Sequence, residues 1–215
     1  MSDRALEGGE FKRGLGGRPT RQEAERRHHS LIETAFRLFV ERGWEGVSVD
    51  EIARQSGVAK GFIYARYPDK SALFVGAIER LMEDATGTMQ VEPLPDDVEE
   101  GLCIFGRKLL DLVLTPEALA FHRLFIAEAP KFPGLARHFI ARNGMRDLIA
   151  GVLADYGDRG ALAPGDARLR AEHFAILVVG VPRTIALLVG REPAAEEERR
   201  LRAAVRLFLD GCRAR

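Results

Sequence analysis

The stretch SVDEIARQSGVAKGFIYARYPDK, residues 48–70, decides the fold. Ser48 and Glu51 stand at S-x-x-E spacing, a capping box in which the hydroxyl takes one unpaired amide and the carboxylate reaches back to another. It predicts a short helix, DEIARQS, broken by Gly57. A second short helix, KGFIYARY, follows almost at once. Pro68 and Asp69 end it, and Asp69 is placed to cap the next helix, which runs from Lys70 towards Met89. Helices this short are not stable alone. The helix after Lys70 and the one before Ser48 must support them. The preceding one is predicted over residues 22–42, with Ile32, Ala35, Phe36, Phe39 and Val40 on one face and Gly43 at its end. Ile52, Ala53, Val58, Ile63 and Tyr67 then take the inward positions. Lys60, Gly61, Phe62, Tyr64, Ala65 and Arg66 are left facing out.

Two helices joined by a tight glycine turn are more often a plain hairpin than a reader of DNA. An outward set of Lys, Phe, Tyr and Arg is odd for a merely solvated face, however. It suits a helix laid in the major groove, with donors for phosphates and a ring for apolar contact. Charge agrees in its distribution though not in its sum. The 215-residue chain is neutral, with 32 basic and 32 acidic residues. Residues 11–70 nevertheless hold 12 Lys and Arg against 8 Asp and Glu, a balance of +4. Lys12, Arg13, Arg18, Arg21 and Arg26 precede the first apolar stripe, and acidic clusters in the remainder compensate as solvated faces.

At these residues the sequence resembles the DNA-binding signature of the TetR family of transcriptional regulators. The matching features are Ile52-Ala53, Gly57-Val58 at the turn, Lys60-Gly61, Tyr64, an aromatic at Tyr67, and Lys70, together with the preceding helix ending in Gly43-Trp44. The resemblance implies that Tyr64 and Lys70 contact phosphate and that Lys60 and Gly61 read base edges. It implies that Arg66 reaches phosphate or groove edge, and that Ser48 caps its helix and touches phosphate. Phe62 departs from the pattern, where the family has Thr or Ser. A phenyl ring donates nothing to a phosphate but can meet a thymine methyl. Gly-Arg-Pro ahead of the first helix also recurs in the family. Arg18 on this arm either enters an adjacent groove or belongs to a disordered solubilising tail.

Beyond VEPLPDD, residues 91–97, which reads as a linker, every segment has helical periodicity and no period-2 strand is found. Thr115-Pro116 starts a helix that ends near Ala129-Pro130. A long segment covers residues 135–156, Asp166 caps a helix reaching Val189, and Pro193 opens the last. The fold class is therefore all-α: an N-terminal three-helix helix-turn-helix domain and a larger helical bundle. The boundaries are a basic arm over 1–20, the DNA-binding domain over 21–68, a connecting helix over 69–92, and an effector-binding and dimerisation domain over 93–215. FHRLFIAEAPKFPGLARHF (residues 121–139) and AVRLFLDG, near the C-terminus, resemble the AefR-like subgroup, which implies an effector cavity in the bundle and dimerisation through the last two long helices.

Phe105, Leu109, Phe121, Phe125, Phe174 and Leu177 either line such a cavity or fill a solid core. His122 sits beside these aromatics. Arg183, in an apolar stretch after Pro182, needs a partner: a carboxylate, a subunit interface or an anionic effector. Pro182 is expected to kink its helix. No apolar run reaches the roughly 18 residues that span a bilayer, and the N-terminus lacks a signal-peptide core, so no membrane partner and a cytoplasmic location are expected. No histidine stands at a metal spacing, and no phosphate loop or nucleophile elbow is present, so neither enzyme activity nor a cofactor is expected. Cys103 and Cys212 have apolar neighbours that make thiols inert. The expected function is a ligand-responsive repressor binding a palindromic DNA operator as a homodimer. The alternatives are an activator, a ligand-independent DNA-binding protein, or a helical adaptor that does not bind DNA.

Overall fold

The computed structural model describes residues 20–87, 93–134, 137 and 144–213, apart from the side chains of 81–86. The basic arm with Arg18, the end of the connecting helix and residues 135–136 and 138–143 of the long predicted segment lie outside that range. Helix α1 (Arg21–Arg42) begins at Thr20, whose hydroxyl accepts from the Glu23 amide at 3.2 Å, while the Glu23 carboxylate accepts from the Thr20 amide at 3.0 Å. It ends at Gly43, with φ 69°. Helix α2 (Val49–Ser56) starts on Ser48, whose hydroxyl accepts from the Glu51 amide at 3.2 Å. The other half of the predicted capping box does not form, because the Glu51 carboxylate turns to Arg42 at 2.8 Å and to Gln55 at 3.0 Å. A guanidinium partner outcompetes a return bond to a single amide. Gly57 takes the left-handed conformation, φ 69° and ψ 16°, which costs glycine nothing. Helix α3 (Lys60–Tyr64) is shorter than expected and continues as a turn, with the Tyr67 amide on the Ile63 carbonyl at 2.8 Å. Helix α4 (Lys70–Gly87) is capped by Asp69, which accepts from the Ala72 amide at 2.8 Å.

These four helices close over one core that includes Leu31, Leu38, Phe39, Ile52, Ile63, Leu73 and Phe74, none more than 1% exposed. A second core fills the C-terminal bundle of α5 (Val98–Val113), α6 (Pro116–Glu128), α7 (Gly144–Asp158), α8 (Ala167–Ala175), α9 (Val181–Val189) and α10 (Ala194–Cys212). A 3-10 turn, Ala129–Lys131, continues α6. Asp97, Thr115 and Asp166 cap α5, α6 and α8. Among the described residues there is no strand, only an isolated bridge between Leu162 and Arg213. Helix α6 belongs to both halves, since its Leu124 and Phe125 are buried in the N-terminal core.

Helices α8 and α9 are joined by a π turn, Ile176–Gly180, into one unbroken helix, Ala167–Val189. The helix is therefore not interrupted at Pro182. Pro182 lacks an N–H, the widened turn immediately before it absorbs the missing bond, and Thr184 donates its hydroxyl to the Gly180 carbonyl at 2.8 Å. The expectation about apolar length is corrected. With Pro182 accommodated, this helix is long and apolar enough to cross a membrane by length and composition alone. One side of it, with Ala171, Phe174, Val178 and Ala186, is buried in the bundle core.

Candidate nucleic-acid interface and regulatory groove

The α2–α3 unit presents the outward face foreseen from the sequence with the exception of Phe62. Ile52, Ala53, Val58 and Ile63 are buried, whereas Lys60, Gly61, Tyr64, Ala65 and Arg66 are exposed, Tyr64 by 49%. A methyl group added at Gly61 would meet open space, so the start of α3 is free to approach another surface. Lys60 pairs with Asp50 across the turn at 2.7 Å. An exposed pair of this kind holds little energy and readily exchanges for a phosphate or base partner. Phe62 is half-buried against the N-terminal core, and the Arg66 guanidinium lies 3.9 Å from its ring centroid. The phenyl ring that replaces the family's hydroxyl thus acts as a shelf for a cation. Ser48 stands exposed at the head of α2. Lys70 opens α4 with its ammonium 4.3 Å from the Trp44 ring centroid.

The face is held from behind by contacts that local sequence does not announce. The Tyr67 hydroxyl and His28 Nε2 are 2.8 Å apart, with their rings stacked, which ties the end of the α3 turn to α1. A Cβ at Gly76 would stand 3.0 Å from Tyr67 Cζ, so the ring can lie on α4 only because residue 76 has no side chain. Burial, reinforced by the nearby Arg66 charge, pushes the His28 imidazole below its ordinary pKa. Burial likewise raises the Tyr67 phenol. Arg42, bonded to Glu51, holds that carboxyl below the usual range, so the acid stays ionised and neutralised beside the face.

The eight residues foreseen for an effector cavity are not brought together. Phe105, Leu109 and Phe174 are at most 1% exposed within the bundle core, and Leu177 packs against it. Phe121 and Phe125 face the other way, into the N-terminal core, with Phe121 6.1 Å from Phe36. The 3.6-residue period identified a buried face of α6 but not which of two cores it enters. His122 and Arg183 do lie near one another, and burial together with the Arg183 charge lowers the His122 pKa. Arg183 is half-buried, burial lowers its pKa, and no partner for it is found among the described residues. Beside it runs an open groove of ≈ 360 Å³ lined by Ile176, Gly180, Val181, Arg183, Thr184 and Ile185. Ile176, Val181 and Leu188 on this helix, with Leu207 on α10, are large apolar side chains more than half exposed. No cluster of three or more His, Cys, Asp or Glu suited to a metal occurs among the described residues.

A supported helix-turn-helix on an all-α bundle defines a class of DNA-binding regulator. Residues 31–77 match the model of the bacterial regulatory proteins of the TetR family, and residues 100–212, more than half the chain, match the AefR-like transcriptional repressor C-terminal domain. The chain belongs to the TetR family of DNA-binding transcriptional regulators, which are not enzymes. It is 39% identical over 75 residues to the HTH-type transcriptional regulator AcrR of Shigella flexneri, covering 35% of this chain and 34% of that one. It is 25% identical over 132 residues to SrpR of Pseudomonas putida, covering 61% of this chain and 60% of the relative. Each match therefore spans less than two thirds of the curated relative. Whole-chain likeness comes from solved structures. The flavonoid-responsive regulator FrrA superposes with a TM-score of 0.74 at 30% identity, over 89% of this chain and 99% of that one. A TetR regulator from Agrobacterium tumefaciens gives 0.64 at 26% identity, over 87% and 94%.

Proposed function

We propose that the protein is a homodimeric repressor that binds a near-palindromic operator and is released by a small molecule. The observation that carries this reading is the set of exposed large apolar side chains Ile176, Val181, Leu188 and Leu207 on the last two long helices, far along the chain from the outward α3. Large apolar side chains left exposed on these helices favour a partner surface. A second copy related by a two-fold axis would cover them and set two α3 helices to address successive major-groove half-sites. The AefR-like repressor domain supports repression. Response to a ligand is supported by FrrA, described as flavonoid-responsive. Arg183, which has no partner among the described residues, lies beside His122 and the groove and favours an effector with an acidic or hydrogen-bond-accepting group on an apolar frame. Such a ligand acts only by preferring the arrangement that does not fit DNA, and each roughly 1.4 kcal/mol of preference changes the equilibrium tenfold.

The test is a gel shift at several salt concentrations, on duplex DNA from immediately upstream of the protein's own reading frame. Binding should weaken steeply with salt. Tyr64→Phe and Lys70→Ala should weaken it for every sequence, and Lys60→Ala should also change sequence preference. A folded protein that binds no duplex, or that sediments only as a monomer, refutes the proposal.

A further inference from the structure

Among the contacts between the DNA-binding unit and the C-terminal bundle is an aromatic cluster at Trp44 whose far side carries Lys70. Trp44 follows the glycine that ends α1. Its ring stacks on Phe39 at 5.8 Å and meets Phe74 edge-on at 5.3 Å. Phe132, which follows the 3-10 turn at the end of α6, closes on the same ring at 4.8 Å and on Phe74 at 5.3 Å. The neighbouring residues repeat the pairing in charge. Lys131 lies 3.7 Å from Glu45 and 2.9 Å from Glu128. The dipeptide Lys131-Phe132 of the bundle therefore grips the dipeptide Trp44-Glu45 of the DNA-binding unit through an ion pair and a ring contact side by side. The Lys70 ammonium rests 4.3 Å from the centroid of the Trp44 ring so held.

We propose that Trp44 is the positioning residue for the Lys70 phosphate contact and that Phe132 is the handle by which the bundle adjusts it. A lysine on a flexible four-carbon stem loses rotamer freedom when it meets a phosphate, and a ring that already orients the ammonium reduces that loss. Shifting Phe132 frees the Trp44 ring and with it the lysine. Helix α6 is suited to deliver the shift. It carries His122 beside Arg183, Leu124 and Phe125 in the N-terminal core, and Phe132 just beyond its end. A displacement at the groove is transmitted through one packed element to the contact. This inference rests on the DNA-binding role given to Lys70, and its test separates the two.

The salt dependence of binding to the same upstream duplex counts phosphate contacts, whereas a general loss of folded protein leaves the slope unchanged. Lys70→Ala removes one contact per subunit, so the slope of a dimer should fall by about 1.8. Phe132→Ala should lower affinity several-fold, reduce the slope in the same direction, and have no further effect in a Lys70→Ala background. Trp44 is the only tryptophan in the chain. Its emission should therefore shift in Phe132→Ala and become more open to quenching by iodide. If Phe132→Ala does not fold, Phe132→Leu, which keeps apolar volume and loses the ring, serves in its place. An unchanged slope in the Phe132 variant beside a reduced one in Lys70→Ala overturns the handle and leaves the DNA reading standing. Additive losses in the double variant overturn it equally. An unchanged slope in Lys70→Ala removes the phosphate contact itself, and the inference falls with it.

Discussion

Replacing Gly101 by alanine should destabilise the protein by about 3 kcal/mol, although the same change in an unconstrained helix interior stabilises by about 1 kcal/mol. Gly101 lies buried in the first turns of α5, and a methyl group built there falls on the hydroxyl of Tyr156. Tyr156 has 0% exposure, and its hydroxyl donates to the Pro95 carbonyl at 2.8 Å, which fastens α7 to the segment before α5. The ring cannot yield without vacating that site. Overpacking of a close-packed core costs about 1–3 kcal/mol. Breaking the bond of the buried hydroxyl to the half-buried Pro95 carbonyl costs about 1–3 kcal/mol more. Subtracting the helix-propensity gain leaves about 3 kcal/mol, or a fall in Tm of about 6–12 °C for a chain of this size. Melts followed by circular dichroism at fixed protein concentration measure it. Tyr156→Leu, which withdraws both hydroxyl and ring, should cost several kcal/mol alone and much less in the Gly101→Ala background. A Gly101→Ala protein as stable as its parent, or two strictly additive substitutions, refutes the reasoning.

Three further outcomes follow from local geometry. Ser48→Ala removes the cap of α2 and should cost about 1 kcal/mol in urea melts, in addition to any effect on DNA affinity. Acidification should weaken the fold. Because burial holds folded His28 below its ordinary 6.5, the unfolded chain takes up a proton first, so stability is full above that value and lost as pH falls towards the folded pKa. His28→Gln should flatten part of this loss, leaving the share of His122, which is lowered in the same way; urea melts at about pH 7 and about pH 5 check it. Burial raises both the Cys103 and Cys212 thiols, so neither should react with a thiol reagent at neutral pH until the protein unfolds. Rapid native-state labelling of either would restore a redox role.

How much of the interface was legible depends on whether its cause is local. Ser48, Gly57 and Asp69 act within four residues of themselves, and each does what its position in the sequence implied. The pattern of apolar and polar residues in KGFIYARY likewise indicated which side chains of α3 face out, except Phe62, whose ring packs against the N-terminal core. Thr20 and Glu23 carry the same cap signature and were readable on the same principle. Glu51 shows where the principle stops. Its spacing promised a bond to Ser48, but Arg42, nine residues back, lies closer to its charge once α1 and α2 are packed.

The sequence by itself determined the order of the helices, most of their starting caps, most of the outward face of α3 and the family, because hydrogen-bonding options and apolar period are properties of neighbouring residues. Only the tertiary structure decided that Phe125 enters the N-terminal core, that Phe132 grips Trp44, that His28 meets Tyr67 across 39 residues, and that Pro182 sits in a helix that does not break. A period says which side of a helix is buried. Which surface buries it is settled by the simultaneous packing of every other helix, and that is information no single stretch of chain contains.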